Sequence, residues 1–367
     1  MTPLAGLKVV ELARILAGPW IGQSLADLGA EVVKVESPDG DDTRKWGPPF
    51  IERDGDTSAA YYYAANRGKD CVTADFRTEE GKQAVLGLIQ DADILIENFK
   101  VGGLKKYGLD YNSLSKINPR LIYCSVTGFG QDGPYAKRAG YDFLLQGMSG
   151  LMSITGAQDG QPQKVGVAIT DIVTGLYGTI GILAAVEQRH RTGRGQHLDM
   201  SLLDCATALL ANQAMNYLAT GESPTRLGND HPNIAPYQVM AVQDGHVILA
   251  VGNDGQFQRL CGVLGLAEAK ADARFQTNQL RVANRKALTA ILEAVLAQWT
   301  QADLLAALEA ATVPAGPINT IGQAFEDPQI KHRGMQIAPE GVPGVRGPWK
   351  FSDAELALDK SAPKLPE

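Results

Sequence analysis

Asp171 is the acid best placed to do chemistry. It follows Thr170 and directly precedes a 15-residue apolar stretch, Ile172 to Val186, so it lies near the start of a predicted helix. The unpaired N–H groups and the dipole at such a start stabilise a carboxylate. Two readings are open. Asp171 is an N-cap, or it is a carboxylate kept ionised in an apolar setting and able to attack a thioester. A basic set precedes it: Arg44, Arg67, Lys69, Arg77, Lys100, Lys105 and Lys106. Several of these follow predicted strands, where open α/β sheets bind ligands, so together they could hold phosphates. Singly, each also reads as solvated surface charge. Gly252-Asn253-Asp254-Gly255 is either a plain strand-to-helix connection or a mobile lid whose backbone N–H groups meet an oxyanion.

Other chemistries lack their signs. His190, His197, His231, His246 and His332 are scattered and show no metal-ligand spacing, so no metal site is expected. There is no GxSxG and no GxxxxGK[ST]. Ala17-Gly18-Pro19 stands where a dinucleotide fold would carry GxGxxG, which argues against NAD.

The elements that must position these residues alternate. Leu7–Leu12 reads as a strand, Ala17-Gly18-Pro19 as a break, Trp20–Leu28 as a helix closed by Gly29, and Glu31–Val35 as a β-branched strand. The unit recurs with strand Cys71–Phe76, helix Glu79–Gln90, and strands Ile94–Ile96 and Leu121–Val126. This is a doubly wound α/β pattern. Thr127 to Gly166 holds nine glycines and few regular signals. Helices are expected over Ile172–Arg191 and Leu202–Ala219, then a polar linker over Gly221–Pro236. A hairpin joins Tyr237–Val242 to His246–Val251, and helices at Arg281–Trp299 and Ala302–Ala311 complete a smaller α+β region. The tail from Gly341 is rich in Pro and Gly.

Bulk properties agree with such a protein. The 367 residues suit more than one core, with 44% hydrophobic and 20% charged residues. The net charge of -7 argues against a nucleic-acid surface. Cys71, Cys124, Cys205 and Cys261 form no CxxC pair and read as reduced thiols. Met1 to Lys8 lacks a signal-peptide pattern, and Ile172–Val186 is short for a bilayer. A cytoplasmic protein without membrane or nucleic-acid partners is expected.

The motifs taken together resemble the type III CoA-transferase (CaiB/BaiF) family, which also contains the α-methylacyl-CoA racemases. The matching stretches are Leu12-Ala13-Arg14-Ile15-Leu16-Ala17-Gly18-Pro19, Leu28 to Glu36, Asp41-Asp42-Thr43-Arg44, Glu97-Asn98-Phe99, Gly128 to Tyr135, Ala139-Gly140-Tyr141-Asp142, and Asp171 with its Gly-rich helix. The resemblance implies an interlocked homodimer. It implies a Rossmann-like large domain over 1–220, a small α+β domain over 221–328, and a return to the large domain over 329–367. The family's further C-terminal helix, near a Gly-x-His-Thr segment, has no counterpart before Glu367, so that return is expected to be short. By position, Asp171 matches the catalytic aspartate. Leu16, Ala17, Arg44, Arg77, Asn98, Phe99 and Lys106 fall at or near CoA contacts, and Tyr141 matches an active-site tyrosine. Trp46, Gly252, Asn253 and Gly255 are the substrate and lid candidates. CoA thioesters are then substrates, and no cofactor is tightly bound.

Departures narrow the reading. Formyl-CoA transferase has Gln at the position of Leu16 and Arg at that of Ser37, so formyl-CoA with oxalate fits poorly. Gly47-Pro48-Pro49-Phe50, Arg138 to Asp142, Ser149 to Met152 and Pro314 to Asn319 resemble the succinyl-CoA–glutarate subgroup, which implies a short dicarboxylate acceptor. The alternatives are an α-methylacyl-CoA racemase and a non-catalytic CoA-binding protein. Racemases carry a His where this chain has Tyr141, and a phenol with a reference pKa near 10 is a poor base at neutral pH.

Overall fold

The computed structural model describes residues 1–366. Its first compact unit comprises Met1–Met152, Lys164–Ser223 and Pro328 onward. The chain enters it through β1 (Lys8–Glu11), α1 (Ala17–Asp27) and β2 (Glu31–Glu36). A short hairpin, β3 (Phe50–Arg53) and β4 (Asp56–Ala59), leads into α2 (Ala60–Tyr63). Then follow β5 (Asp70–Thr73), α3 (Glu79–Gln90), β6 (Ile94–Glu97), α4 (Tyr111–Ile117) and β7 (Ile122–Thr127). Three helices come next: α5 (Asp142–Met148), the single turn α6 (Leu151–Ile154) and the long α7 (Ile169–Thr192). The unit continues through β8 (His197–Ser201), α8 (Leu202–Ala208) and α9 (Ala211–Thr220).

Six of these strands form one parallel sheet in the order β5-β2-β1-β6-β7-β8. Counted in chain order these strands run 3-2-1-4-5-6, the doubly wound arrangement, and the order reverses between β1 and β6. The central strands are buried on both faces, as their apolar runs require: all four residues of β6 are buried. One core layer gathers Val9, Ile21, Leu25 and Ile182, and the opposite layer gathers Val10, Leu95, Val85 and Ile89.

Two glycine effects set the packing of this unit. Gly175 and Gly178 bring α7 against α1 so closely that an added Cβ would lie 2.9 Å from Trp20 Cβ and 2.5 Å from Ile21 Cδ1. Gly22 faces the Glu11 carboxylate, and a Cβ there would fall 1.8 Å from Glu11 Oε2.

The second unit comprises Ser153–Gln163 and Pro224–Asp327. Arg226 holds the first of these segments by donating to Ala157 O (3.2 Å) and Gly160 O (2.9 Å). Its hairpin is β9 (Tyr237–Val242) and β10 (Gly245–Ala250). Helices α10 (Asp254–Val263), α11 (Ala267–Ala271), α12 (Asn278–Ala283), α13 (Arg285–Leu296) and α14 (Gln301–Ala310) follow. β11 (Ala315–Pro317) adds a third, antiparallel strand on β10. Leu249, Phe257, Leu260, Leu292 and Leu304 pack in its core.

Several expectations need correction. The Ala17-Gly18-Pro19 break is the first turn of α1; Pro19 is tolerated there because first-turn N–H groups have no intrahelical partner. The actual turn is one step earlier, at Ile15, whose φ is 73°. The helix expected from Leu202 to Ala219 breaks at Leu209 and Leu210, and that expected from Arg281 divides at Asn284. The Gly-rich stretch after Thr127 contains α5, and β8 is a sixth strand that the walk along the sequence did not reveal.

Gly22→Ala should force the buried Glu11 carboxylate off its lysine partners. An overpacking loss of about 1–3 kcal/mol is expected, and the shift in urea midpoint at unchanged slope measures it.

Candidate functional site

Asp171 is the third residue of α7, half-buried, and does not cap it. Asp142 does that work from the start of α5: its Oδ1 accepts the Thr170 N–H at 2.8 Å. The other oxygen, Oδ2, accepts from Gln146 Nε2 at 2.7 Å, and Gln146 Oε1 accepts the Val165 N–H at 2.9 Å. Asp142 and Gln146 lie four apart on one helical face. They pin both ends of the 165–170 segment that delivers Asp171.

Burial pushes the Asp171 carboxyl up to about 7, and the nearby Asp142 charge adds to the rise. The expectation of a carboxylate stabilised by the helix start is therefore corrected: burial and a like charge outweigh the dipole. Tyr61, on α2, lies within the field of Asp171. Its hydroxyl is pushed up to about 12 by burial, then by Asp171, Asp142 and Asp41. The Trp46 ring meets Tyr61 edge-on at 5.4 Å, so the substrate candidate Trp46 joins this group. Tyr141 is the residue before α5, with 65% of its surface exposed.

Leu16, Ala17, Asn98 and Phe99 follow β1 and β6, the two strands between which the sheet order reverses. Leu16 and Ala17 are buried at the start of α1. Asn98, just beyond β6, holds the turn before them: its Oδ1 accepts the Arg14 N–H (2.9 Å) and its Nδ2 donates to Arg14 O (2.7 Å). The Ile15 N–H turns toward the Asp41 carboxylate, at 3.3 and 3.4 Å from its oxygens. Phe99 packs on Phe76 (5.5 Å), Phe76 on Tyr107 (5.2 Å), and the Lys106 ammonium sits 4.7 Å over the Tyr107 ring. Arg77, next to Phe76, is exposed and paired with Asp75. Arg77, Phe99 and Lys106 thus share one edge, where Lys106 is exposed and the Arg77 guanidinium is held by both Asp75 oxygens.

Arg44 does not belong with them. It is buried, and its guanidinium donates to both Glu36 oxygens, Ser58 Oγ, Tyr62 OH and Pro363 O. No donor set of that kind is left for CoA. Arg67 and Lys69 are likewise interior, bound to Asp27 and Glu11. Lys100 and Lys105 instead line a cavity of about 240 Å³ that contains Glu97, Ser125 and His197 and does not include Asp171.

In the second unit, Asn253 caps α10 by accepting the Gln256 N–H, and the Gly252 N–H donates to Gln256 Oε1 at 2.7 Å. A Cβ at Gly252 or Gly255 meets nothing closer than 3.4 Å. Gly252, Asn253 and Gly255 thus form a capped strand-to-helix connection, and the Gly252 N–H is already engaged. Among the described residues no cluster of three or more His, Cys, Asp or Glu could hold a metal.

The sequence reading missed Tyr61 and the role of Asp142. Tyr61 stands in a run of three tyrosines with no spacing signal. Asp142 lay inside the Ala139-Gly140-Tyr141-Asp142 motif, in a stretch where no helix was expected, so nothing in the sequence marked its role.

The sequence pattern of CoA-transferase family III matches residues 4–367. The chain belongs to CoA-transferase family III. It is 56% identical to a succinate–glutarate CoA-transferase of Agrobacterium fabrum over all of this chain and 93% of that one. It is 41% identical to the human succinyl-CoA:glutarate CoA-transferase over 99% of this chain and 83% of that one. The crystal structure of a CaiB/BaiF family protein from Brucella suis superposes with a TM-score of 0.90 at 64% identity, covering 99% of this chain and 96% of that one. Membership together with these relatives makes the chain a CoA-transferase with CoA thioesters as substrates, and the racemase alternative falls behind.

The raised Asp171 carboxyl has a thermodynamic consequence. Folding holds its proton up to about pH 7 while the unfolded chain releases it near the ordinary value of 3.8, so stability falls as pH rises between them. Asp171→Asn removes that proton linkage. Its melting temperature should exceed wild type clearly at pH 8 and little at pH 4; equal differences at both pH values would contradict the assigned shift.

Proposed function

We propose that this CoA-transferase moves CoA from succinyl-CoA to a short dicarboxylate through covalent intermediates on Asp171. The observation that carries the reading is the Asp171 carboxyl itself, half-buried, raised toward neutrality and pinned by the Asp142–Gln146 pair beside Tyr61 and Trp46. The relatives' substrates support the choice of acids. Carboxylates of higher basicity are stronger nucleophiles, and a dry setting raises basicity by disfavouring charge.

The steps balance without an energy source. Asp171 Oδ attacks the succinyl thioester carbonyl, the C–S bond breaks, and the electron pair leaves on the CoA thiolate. A mixed anhydride remains. The thiolate then attacks the aspartyl carbonyl, releasing succinate and leaving an aspartyl-CoA thioester. The acceptor carboxylate displaces the thiolate to form a second anhydride. Return of the thiolate to the acceptor's acyl carbon frees the new thioester and regenerates Asp171. Both intermediates are open to water, so the site must stay dry. In this reading Leu16, Ala17, Asn98 and Phe99 bound the CoA path where the sheet order reverses, Arg77 and Lys106 meet its phosphates, and Tyr141 and Trp46 face the acyl group.

The same reading includes a homodimer. The apolar faces left open on the first unit include Phe143 and Leu144 of α5, Tyr177 and Ile180 of α7, and Met215 and Leu218 of α9; Leu218 is 71% exposed. Exposed large apolar side chains on three helices are surface that an interface would cover, and an interlocked second copy is the proposed cover. The four cysteines are free, which suits a reducing cytoplasm.

Asp171→Ala should lose at least about a thousandfold in turnover while still binding CoA. Wild type treated with succinyl-CoA and then hydroxylamine should carry a modified Asp171, located by peptide mass spectrometry. Succinyl-CoA with glutarate should outrun acetyl-CoA with a monocarboxylate; equal rates for both pairs would refute the dicarboxylate preference.

The dimer has its own measurement. Light scattering should report twice the 39.2 kDa chain mass, and a monomer at micromolar concentration would dismiss the interface.

A further inference from the structure

α5 offers two side chains to the segment before the nucleophile, and only one is charged. Gln146 is fully buried and serves as a neutral relay between Asp142 and Val165 N–H. Asp142 would hold the Thr170 N–H equally well as an amide oxygen. A carboxylate is instead placed beside a second carboxylate, which costs energy by like-charge repulsion. Two donors, Thr170 N–H and Gln146 Nε2, keep it there.

We propose that Asp142 is a positioning residue for CoA transfer, fixing the backbone that carries Asp171 and raising the energy of the Asp171 carboxylate before attack through its own negative charge. The proposal rests on Asp171 being the nucleophile. When Asp171 attacks, a C–O bond forms, the C–S bond breaks, and the negative charge passes from the Asp171 oxygen to the departing sulfur. The anhydride is neutral, so the repulsion from Asp142 is relieved as the bond forms. An interaction present in the ground state and lost toward the transition state accelerates the step. The groups facing Asp171 are Asp142 from α5 and Tyr61 from α2. Tyr61 stays protonated across the working range, so it contributes no titrating charge. Burial sets most of the elevation at Asp171 and Asp142 sets the remainder.

Two variants separate charge from geometry. Asp142→Asn removes the charge, but its Nδ2 then faces the Gln146 Nε2 donor. Asp142→Asn combined with Gln146→Glu restores every bond: the new amide donates to the new carboxylate, whose other oxygen accepts the Val165 N–H, and the charge moves one helical turn away. In both, the acid limb of the kcat/KM profile should move down by about one pH unit, and turnover on its plateau should fall roughly threefold to tenfold. The double variant should recover the melting temperature lost in the single one. An acid limb left in place in the single variant overturns the proposal, whether or not the double variant folds. Full activity in Asp171→Ala would instead overturn the nucleophile assignment, so the two failures are distinct.

Discussion

The large unit is organised around charges that never reach water. Glu11 ends β1, Lys34 lies within β2 and Lys69 just precedes β5; all three are fully buried, and Asp41 is buried beside them. Removing an ion from water costs several kcal/mol even after relaxation, so each needs partners. The lysines and Asp41 have theirs, and Glu11 Oε2 lies 2.9 Å from Lys69 Nζ without a hydrogen bond. Lys34 Nζ reaches Glu11 and Asp41 and donates to Ala13 O at 2.8 Å; Lys69 Nζ reaches Glu11, Pro19 O (2.9 Å) and Asn66 Oδ1 (2.8 Å). Burial alone would lower both lysines. Glu11, Asp41 and Glu36 reverse this at Lys34, whereas Lys69 ends at about 8. Their partners Ala13 and Pro19 bracket the β1–α1 turn, and Asp41 receives the Ile15 N–H in the middle of it. A β-branched residue at φ 73° is costly, of order 1–3 kcal/mol, and persists where its surroundings over-determine it. Here a lysine, an aspartate and the Asn98 side chain do so together.

This cluster also explains what the sequence could and could not reveal. Local signals were sufficient for α3, found where Thr78 caps a periodic run, and for the hairpin of the second unit, where alternation flanks Asp244-Gly245. The central strands were legible because buried parallel strands are apolar throughout. β8 was not, since His197-Leu198-Asp199-Met200-Ser201 alternates like a surface segment; its place is fixed by pairing with β7 and by the His197–Ser125 contact of 2.9 Å. Charge misled most. Arg44, Arg67 and Lys69 look the same in a sequence as Arg77 and Lys106, because the partners that bury the first three lie up to 319 positions away. Only the motifs as a set, carried by resemblance, pointed to CoA chemistry.

At Asp171 two opposing effects can be compared in magnitude. A helix N-terminus favours a carboxylate by about 0.3–1 kcal/mol. A rise from 3.8 to about 7 corresponds to roughly 4 kcal/mol in the other direction. The dipole therefore loses, and it loses further because the cap position it would reward is already served by Asp142. An uncommitted carboxylate results, held in place by its backbone, and that is what the proposed covalent chemistry requires.

α7 connects this chemistry to the rest of the unit. Its glycines at 175 and 178, one and two turns beyond Asp171, allow the close approach to Trp20 and Ile21 of α1. The same helix helps anchor Asp171 by burying Ile182, Ala185 and Val186 in the sheet's core. Larger residues on that face would push α7 outward and carry Asp171 away from the turn that the buried lysines fix. The face that glycine does not occupy bears Leu176, Tyr177 and Ile180, all exposed within this chain. Its 24 residues are apolar enough to pass for a membrane span, yet one side packs on α1 and the sheet. A helix apolar on both sides but covered on one has a second side to cover. The placement of Asp171, the proposed nucleophile, and the proposed association of subunits thus draw on opposite faces of one helix.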